Sequence, residues 1–403
     1  MGEDPMTGVV TEPTAAVRPG WIAALSAATL GMSIAVLTPI QVLLPLQIEA
    51  IDPARKVANL GWITAVAAVL SMVVCPVAGA LSDRTASRFG RRRPWVLGSG
   101  LVCAAGLVLL GLQHTILGVA LTWCVVQAGT NAMYAALTAS VPDLVPVRQR
   151  GVVSAFVGLP LPLSLILGSF LVSSVVTGRV SGYCLLAGLL LVLIVPFVLL
   201  PTDTPRIERG PAGPPKFTHD LGWAFGCRLG IQLANAVGTL YLLYYLRDVV
   251  HHEDPARAVF LLIVVYTAGI LLTSVVAGRW SDRSGLRKPF VVVSSAVVAA
   301  AMVVLSLAHT FSAALFAAAL MGVGYGVYLA VDNALITQVL PAAHAHARDL
   351  GVVNLANTAP QALAPAIAGV VIAELGGYSP LYLLAAVCAL AGAAAIAPVR
   401  SVR

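Results

Sequence analysis

The chain has 403 residues, 59% hydrophobic and 10% charged, with a formal net charge of +7. A soluble domain carries roughly 25% charged residues, so a water-soluble globule is excluded. The positive balance does not point to nucleic acid, because the basic residues fall in short loops between apolar runs, where membrane topology accounts for them.

Residues 1–20 form a tail holding Glu3, Asp4 and Glu12, without a basic n-region or a small-residue cleavage site. The apolar run that begins near Trp21 therefore reads as a retained spanning helix rather than a signal peptide. Runs of about 20 apolar residues, each long enough to cross a hydrocarbon core about 30 Å thick, then recur to the end. The first half is expected to span at 21–47, 58–81, 95–112, 115–141, 151–177 and 182–201. The second half is expected to span at 221–246, 257–279, 290–308, 311–340, 351–374 and 379–398. Barrel strands are only about 9–11 residues long, so runs of this length predict an all-α membrane protein of twelve transmembrane helices. The one long polar connector, 202–220, is "TDTPRIERGPAGPPKFTHD" and reads as a flexible linker. The domain plan is thus a tail (1–20), a six-helix bundle (21–201), the linker, a second bundle (221–398) and a short tail (399–403).

Lys and Arg counted loop by loop set the expected orientation. With the N-terminus inside, eighteen lie in inside segments and five in outside loops, and Arg228 alone falls within a span, which accounts for all 24. Both termini are expected in the cytoplasm. The six cysteines all sit in apolar runs, with no CxxC pair and no His at ligand spacing, so they read as small buried hydrophobes and no metal site is expected. The histidines His251, His252, His344 and His346 read as solvated loop residues.

The halves repeat. "GALSDR" (79–84) matches "GRWSDR" (278–283) at an offset of 199, and "RQRGVVSAFVGLP" (148–160) matches "RDLGVVNLANTAP" (348–360) at 200. "GTNAMYAALTASVPDLVP" (129–146) pairs with "GYGVYLAVDNALITQVLP" (324–341) at 195. Three matches in the same order imply duplicated, pseudo-symmetric bundles with a binding site between them near the midplane.

With these motifs the chain resembles the major facilitator superfamily along essentially its full length. The signature between spans 2 and 3 of that family, G-x-x-x-D-R-x-G-R-[RK], is carried here by Gly79, Asp83, Arg84, Gly90, Arg91 and Arg92, with four extra residues in the middle. A second copy runs through Gly278, Asp282, Arg283, Gly285, Arg287 and Lys288, read with Leu286 as an insertion. The stretched "SDRTASRFGRRRP", with "RDLGVVNLANTAPQALAP" and "YLLYYLRDVV", is similar to the branch of sucrose–proton and glycoside–cation symporters. That resemblance implies a major facilitator fold, alternating access, and a sugar or glycoside substrate coupled to a cation, most simply H⁺. The chain departs from that branch in having no acidic residue in spans 2 to 6, which argues against its sodium site. The loop motif is expected to act as a cytoplasmic gate whose charges reach the facing half.

Ionisable groups inside a membrane are functional candidates by default. Arg228 lies eight residues into span 7 and Asp332 eight residues from the end of span 10, so both sit about 12 Å from the cytoplasmic boundary. They are the coupling candidates. The open alternatives are a permanent pair, a pair released by protonation, and two groups that never meet. Substrate-binding candidates are Gln41, Gln127, Asn131, Tyr134, Asn235, Tyr241, Tyr328, Asn333, Asn357 and Gln361, with Tyr244, Tyr325 and Asn354 beside them; polar groups and aromatic faces in an apolar cavity suit a polar, largely neutral solute. No nucleophile elbow, phosphate loop or catalytic metal motif occurs, so neither an enzyme nor a cofactor is expected. The expected function is proton-coupled import of a small solute across the cell membrane by a monomer in the lipid bilayer. The alternative is a proton-coupled exporter of drugs or metabolites.

Overall fold

A computed structural model describes residues 16–85, 87, 89–146, 149, 153, 156–176, 178–200, 219–307, 309–339, 359–360, 363–372 and 374–399. The linker, most of the N-terminal tail, the last four residues, Asn354, Asn357 and Gln361 lie outside the described residues, as do the side chains of Asp282 and Asn333.

Within that range the chain is almost entirely helical. The first span starts at α1 (Pro19–Thr38), passes through a π-helical turn (Pro39–Leu43) and ends in α2 (Leu44–Ile51). It runs four residues past the expected end. Pro39 brings no N–H to the ladder and its ring crowds the preceding turn, and the Leu44 N–H reaches back five residues to the Pro39 carbonyl. Next come α3 (Lys56–Arg84), α4 (Arg93–Gly111), α5 (Ile116–Leu144), α6 (Pro160–Phe170, continued by a π turn over Leu171–Val175) and α7 (Arg179–Leu199). The second half holds α8 (His219–Leu240), α9 (Leu242–Asp248), α10 (Pro255–Ser284), α11 (Lys288–Leu307), α12 (Phe311–Val339), α13 (Leu363–Ile372) and α14 (Tyr378–Ala395).

Ten of the described helical segments are long and apolar enough to cross a membrane, eleven if α8 and α9 make one bent span, and α13 is a shorter apolar helix. The count agrees with a twelve-helix plan whose eleventh span is described only in part. Span 7 was expected to be one helix, yet it bends by 47° at Tyr241. The Thr239 hydroxyl donates to the Asn235 carbonyl (3.0 Å), a back-bond that bends helices.

Packing is chiefly within each half: α4 on α5 and α7, α3 on α5, α10 on α12, and α11 on α12 and α14. Small residues allow the tightest crossing. A Cβ added to Gly322 of α12 would come within 2.2 Å of the Tyr266 carbonyl on α10, and one on Gly326 within 2.7 Å of the Ile270 carbonyl. A glycine pair one turn apart is the usual device for close backbone approach in a membrane. The outer surface carries Leu117, Leu121, Val192, Leu199, Leu272 and Val276, all exposed. An apolar belt of that kind belongs against lipid rather than water.

Candidate functional site

Three groups of polar residues stand out. Two lie toward the end bearing the loops between α3 and α4 and between α10 and α11, the basic end; the third lies at the opposite, far end.

At the basic end the two halves build the same clamp. Gly79 of α3 faces Ala135 of α5, and Gly278 of α10 faces Ala330 of α12, the same repeat positions. The α3–α4 loop turns at Gly90 (φ 88°) and the α10–α11 loop at Gly285 (φ 66°), left-handed conformations that glycine adopts without strain. Two residues later, Arg92 donates to the Ser82 hydroxyl and Arg287 to the Ser281 hydroxyl (2.6 Å). This equivalence aligns Arg287 with Arg92, so Leu286 stands in the place of Arg91 and is a substitution rather than an insertion.

The first-half clamp is more highly charged. Asp143, at the end of α5 and only 1% exposed, accepts from Arg91 (2.6 Å) and from two nitrogens of Arg92 (2.8 and 3.0 Å). Arg92 also pairs with Asp83, which is half exposed. Arg84 is exposed at the end of α3. In this conformation the partners described for Arg91, Arg92 and Asp83 all lie in their own half, not in the facing one.

The second group is buried in the second half. Arg228 of α8 and Asp332 of α12 form an ion pair (Nη2–Oδ2 3.1 Å), and Tyr328 donates to the other carboxylate oxygen (2.8 Å). A polar row continues along the same helices. Tyr325 donates to Gln232 (2.6 Å), and its ring stacks on Tyr266, 6.3 Å between centroids. Tyr266 in turn donates to Asn235 (2.7 Å). Three tyrosines, two amides and one ion pair thus share one seam of α8, α10 and α12. On the first-half side, Tyr134 is 40% exposed and lies within Coulombic reach of Arg228. Asn131 ties α5 to α3 through the Ser71 hydroxyl (2.8 Å). Gln127 and Gln41 are half-buried, Gln41 within the π turn.

The third group joins the halves at the far end. Lys56 of α3 bridges Glu49 of α2 (2.8 Å) and Asp248 of α9 (2.6 Å), while Arg247 of α9 pairs with Glu49. Tyr378 of α14 donates to the second oxygen of Asp248 (2.8 Å). The Lys56 ammonium lies 5.0 Å from the Tyr244 ring centroid, and Tyr244 donates across the seam to the Pro45 carbonyl (2.9 Å). Gly61 of α3 leaves room for the Pro365 carbonyl of α13, to which Tyr241 donates (3.3 Å). Tyr241 and Tyr244 are therefore buried in the seam between the halves.

Two bundles with the same loop clamp, joined at one end, invite comparison with known families. The Major Facilitator Superfamily model matches residues 20–253 and 233–402. The chain belongs to the major facilitator superfamily. A solved structure, the human organic anion transporter MFSD10 (TETRAN), has the same fold, with a TM-score of 0.68 at 16% identity, covering 94% of this chain and 100% of that one. Among curated proteins no sequence match is found. Membership makes this a multi-span membrane protein with the fold of a secondary transporter.

Several of these residues were not singled out from sequence. Asp143 is a lone carboxylate in "SVPDLVP", and its repeat partner at offset 195 is Gln338, so the duplication gave no signal. Gln232 and Tyr266 sit in otherwise apolar runs. Lys56, Arg247 and Asp248 read as ordinary loop charges, although a cation and an anion at the outer ends of both halves could have suggested pairing.

Proposed function

We propose that this protein is a secondary active importer of a small, polar, uncharged solute, with a sugar or glycoside as the leading class, coupled to protons at Asp332. It works as a monomer in the cell membrane with the basic end and both termini in the cytoplasm, an orientation supported by the excess of Lys and Arg at that end. The carrying observation is the buried Arg228–Asp332 pair, continuous with the row of Tyr328, Tyr325, Gln232, Tyr266 and Asn235. Hydroxyls, amides and flat aromatic faces are what a polyhydroxylated ring requires. The charge of Arg228 is balanced by Asp332, which supports a neutral rather than an anionic solute, unlike that named for MFSD10.

The coupling follows from the same pair. With the proton absent, Asp332 holds Arg228; with Asp332 protonated, the attraction is lost and α8 and α12 are free to separate. Proton uptake is thereby tied to movement within the second half. The test is Asp332→Asn in proteoliposomes: uphill, proton-driven uptake should disappear while substrate counterflow persists. Proton-driven accumulation by that variant would remove Asp332 from the coupling.

A further inference from the structure

A surface depression lies on the outside of the bundle, away from the polar seam. Leu272, Val276, Arg279 and Arg283 follow one another at three- and four-residue spacing on α10, and Trp280 lies four residues after Val276, so the five share one face. Leu272, Val276 and Trp280 are 72%, 64% and 66% exposed. Val276, Arg279, Trp280 and Arg283 line a depression of about 280 Å³. The indole of Trp280 is braced edge-on against Phe290, 5.6 Å between centroids, and forms one wall of it.

The two arginines differ from those of the clamp. Arg91, Arg92 and Arg287 are each held by a serine or a carboxylate of their own half. Arg279 and Arg283 are exposed and make no hydrogen bond or ion pair among the described residues. Depth matters as well. Arg283 is one residue from the end of α10, and Arg279 about 7 Å below that end at 1.5 Å per residue. A bilayer about 40–45 Å thick around a 30 Å core leaves interfacial zones of this depth on each side. Two guanidiniums therefore sit where headgroup phosphates sit, a tryptophan lies at the interface where tryptophan is favoured, and an apolar stripe runs on toward the midplane.

We propose that this depression binds one anionic phospholipid, its phosphate forked between Arg279 and Arg283 and an acyl chain laid along Val276 and Leu272. Guanidinium recognises phosphate oxygens in pairs, and the charge of the headgroup complements two cations that nothing else described here neutralises. Leu286, standing where the first half has Arg91, leaves the second-half clamp with a single arginine.

Native mass spectrometry of the purified full-length protein tests this, with mixed phosphatidylglycerol–phosphatidylcholine micelles as the probe. One phosphatidylglycerol should be retained in preference to phosphatidylcholine. Arg279→Gln with Arg283→Gln should lower that retention by at least tenfold, since each basic residue near an anionic surface is worth about fivefold. The doubly Lys-substituted protein, which keeps the charge but loses the paired fork, should retain an intermediate amount, and Arg18→Gln, an exposed charge at the same end, should change nothing. Equal retention by the double Gln variant, an equal loss in Arg18→Gln, or no preference over phosphatidylcholine would each overturn the proposal. So would displacement of the lipid by millimolar inorganic phosphate, which would make free phosphate the ligand.

Discussion

Lys56 offers the sharpest test of how the two halves are held. Its ammonium touches Glu49 of its own half and Asp248 of the other, with only 14% of the side chain exposed. With Arg247 the cluster holds two cations and two anions and is neutral. Lys56→Met preserves the length of the side chain but leaves the two carboxylates with one cation, so the cluster loses a cross-half bond and gains repulsion. Exposed ion pairs contribute about 0–1 kcal/mol, and breaking a fully buried one costs about 3–5 kcal/mol. A pair buried to this degree should fall between them, at about 1–3 kcal/mol, which shifts the closed-to-open ratio of the far end by roughly 5- to 150-fold. Spin labels at Ala54→Cys and Glu253→Cys, in a background without the native cysteines, report the separation across that end by pulsed EPR in nanodiscs. Lys56→Met should populate a longer distance, and adding Asp248→Asn should contribute less than it does alone, because the two share one bond. An unchanged distance distribution would refute the idea that this cluster holds the far end shut.

Other consequences follow from the same geometry. Asp332→Ala removes the carboxylate that balances the buried Arg228 charge and should cost about 3–5 kcal/mol, whereas Arg228→Met with Asp332→Leu should recover most of it in thermal unfolding. Asp83→Asn should cut turnover strongly while leaving substrate affinity nearly intact; a normal turnover rate in vesicles would end the gate reading of that loop. Gly322→Ala places a methyl 2.2 Å from the Tyr266 carbonyl and should lower stability by about 1–3 kcal/mol, seen as a lower melting temperature.

Span length, loop charge and the two S-D-R copies made the architecture legible, because each is a property of chain segments that needs no partner. Arg228 and Asp332 were legible for a related reason. A charge inside an apolar run is conspicuous, and helical rise alone puts both at one depth. Pairing was not. Asp143 meets arginines some fifty residues earlier, and only the packing of α4 on α5 brings them together. The bend at Tyr241 was hidden as well, because a threonine back-bond in an apolar run leaves hydropathy unchanged. Leu286 shows the limit of a motif match, since residue type suggested an insertion and the Arg287–Ser281 bond shows a substitution.

The distribution of these bonds carries the mechanism further than any one of them. Those at the basic end lie within a half: Arg92 with Ser82, Asp83 and Asp143, and Arg287 with Ser281. At the far end several cross between halves: Lys56 with Asp248, Arg247 with Glu49, and Tyr244 with the Pro45 carbonyl. A rigid rocking of one bundle against the other breaks the second kind and spares the first. The opposite state is accessible only if the basic end then supplies cross-half bonds of similar worth, because a transporter must populate both states within a few kcal/mol. Asp83 is the clamp residue suited to that exchange. It is half exposed and can leave Arg92, which keeps Asp143 and Ser82, without stranding a buried charge. Asp143, fully buried between Arg91 and Arg92, has no such freedom and serves to hold the loop in place.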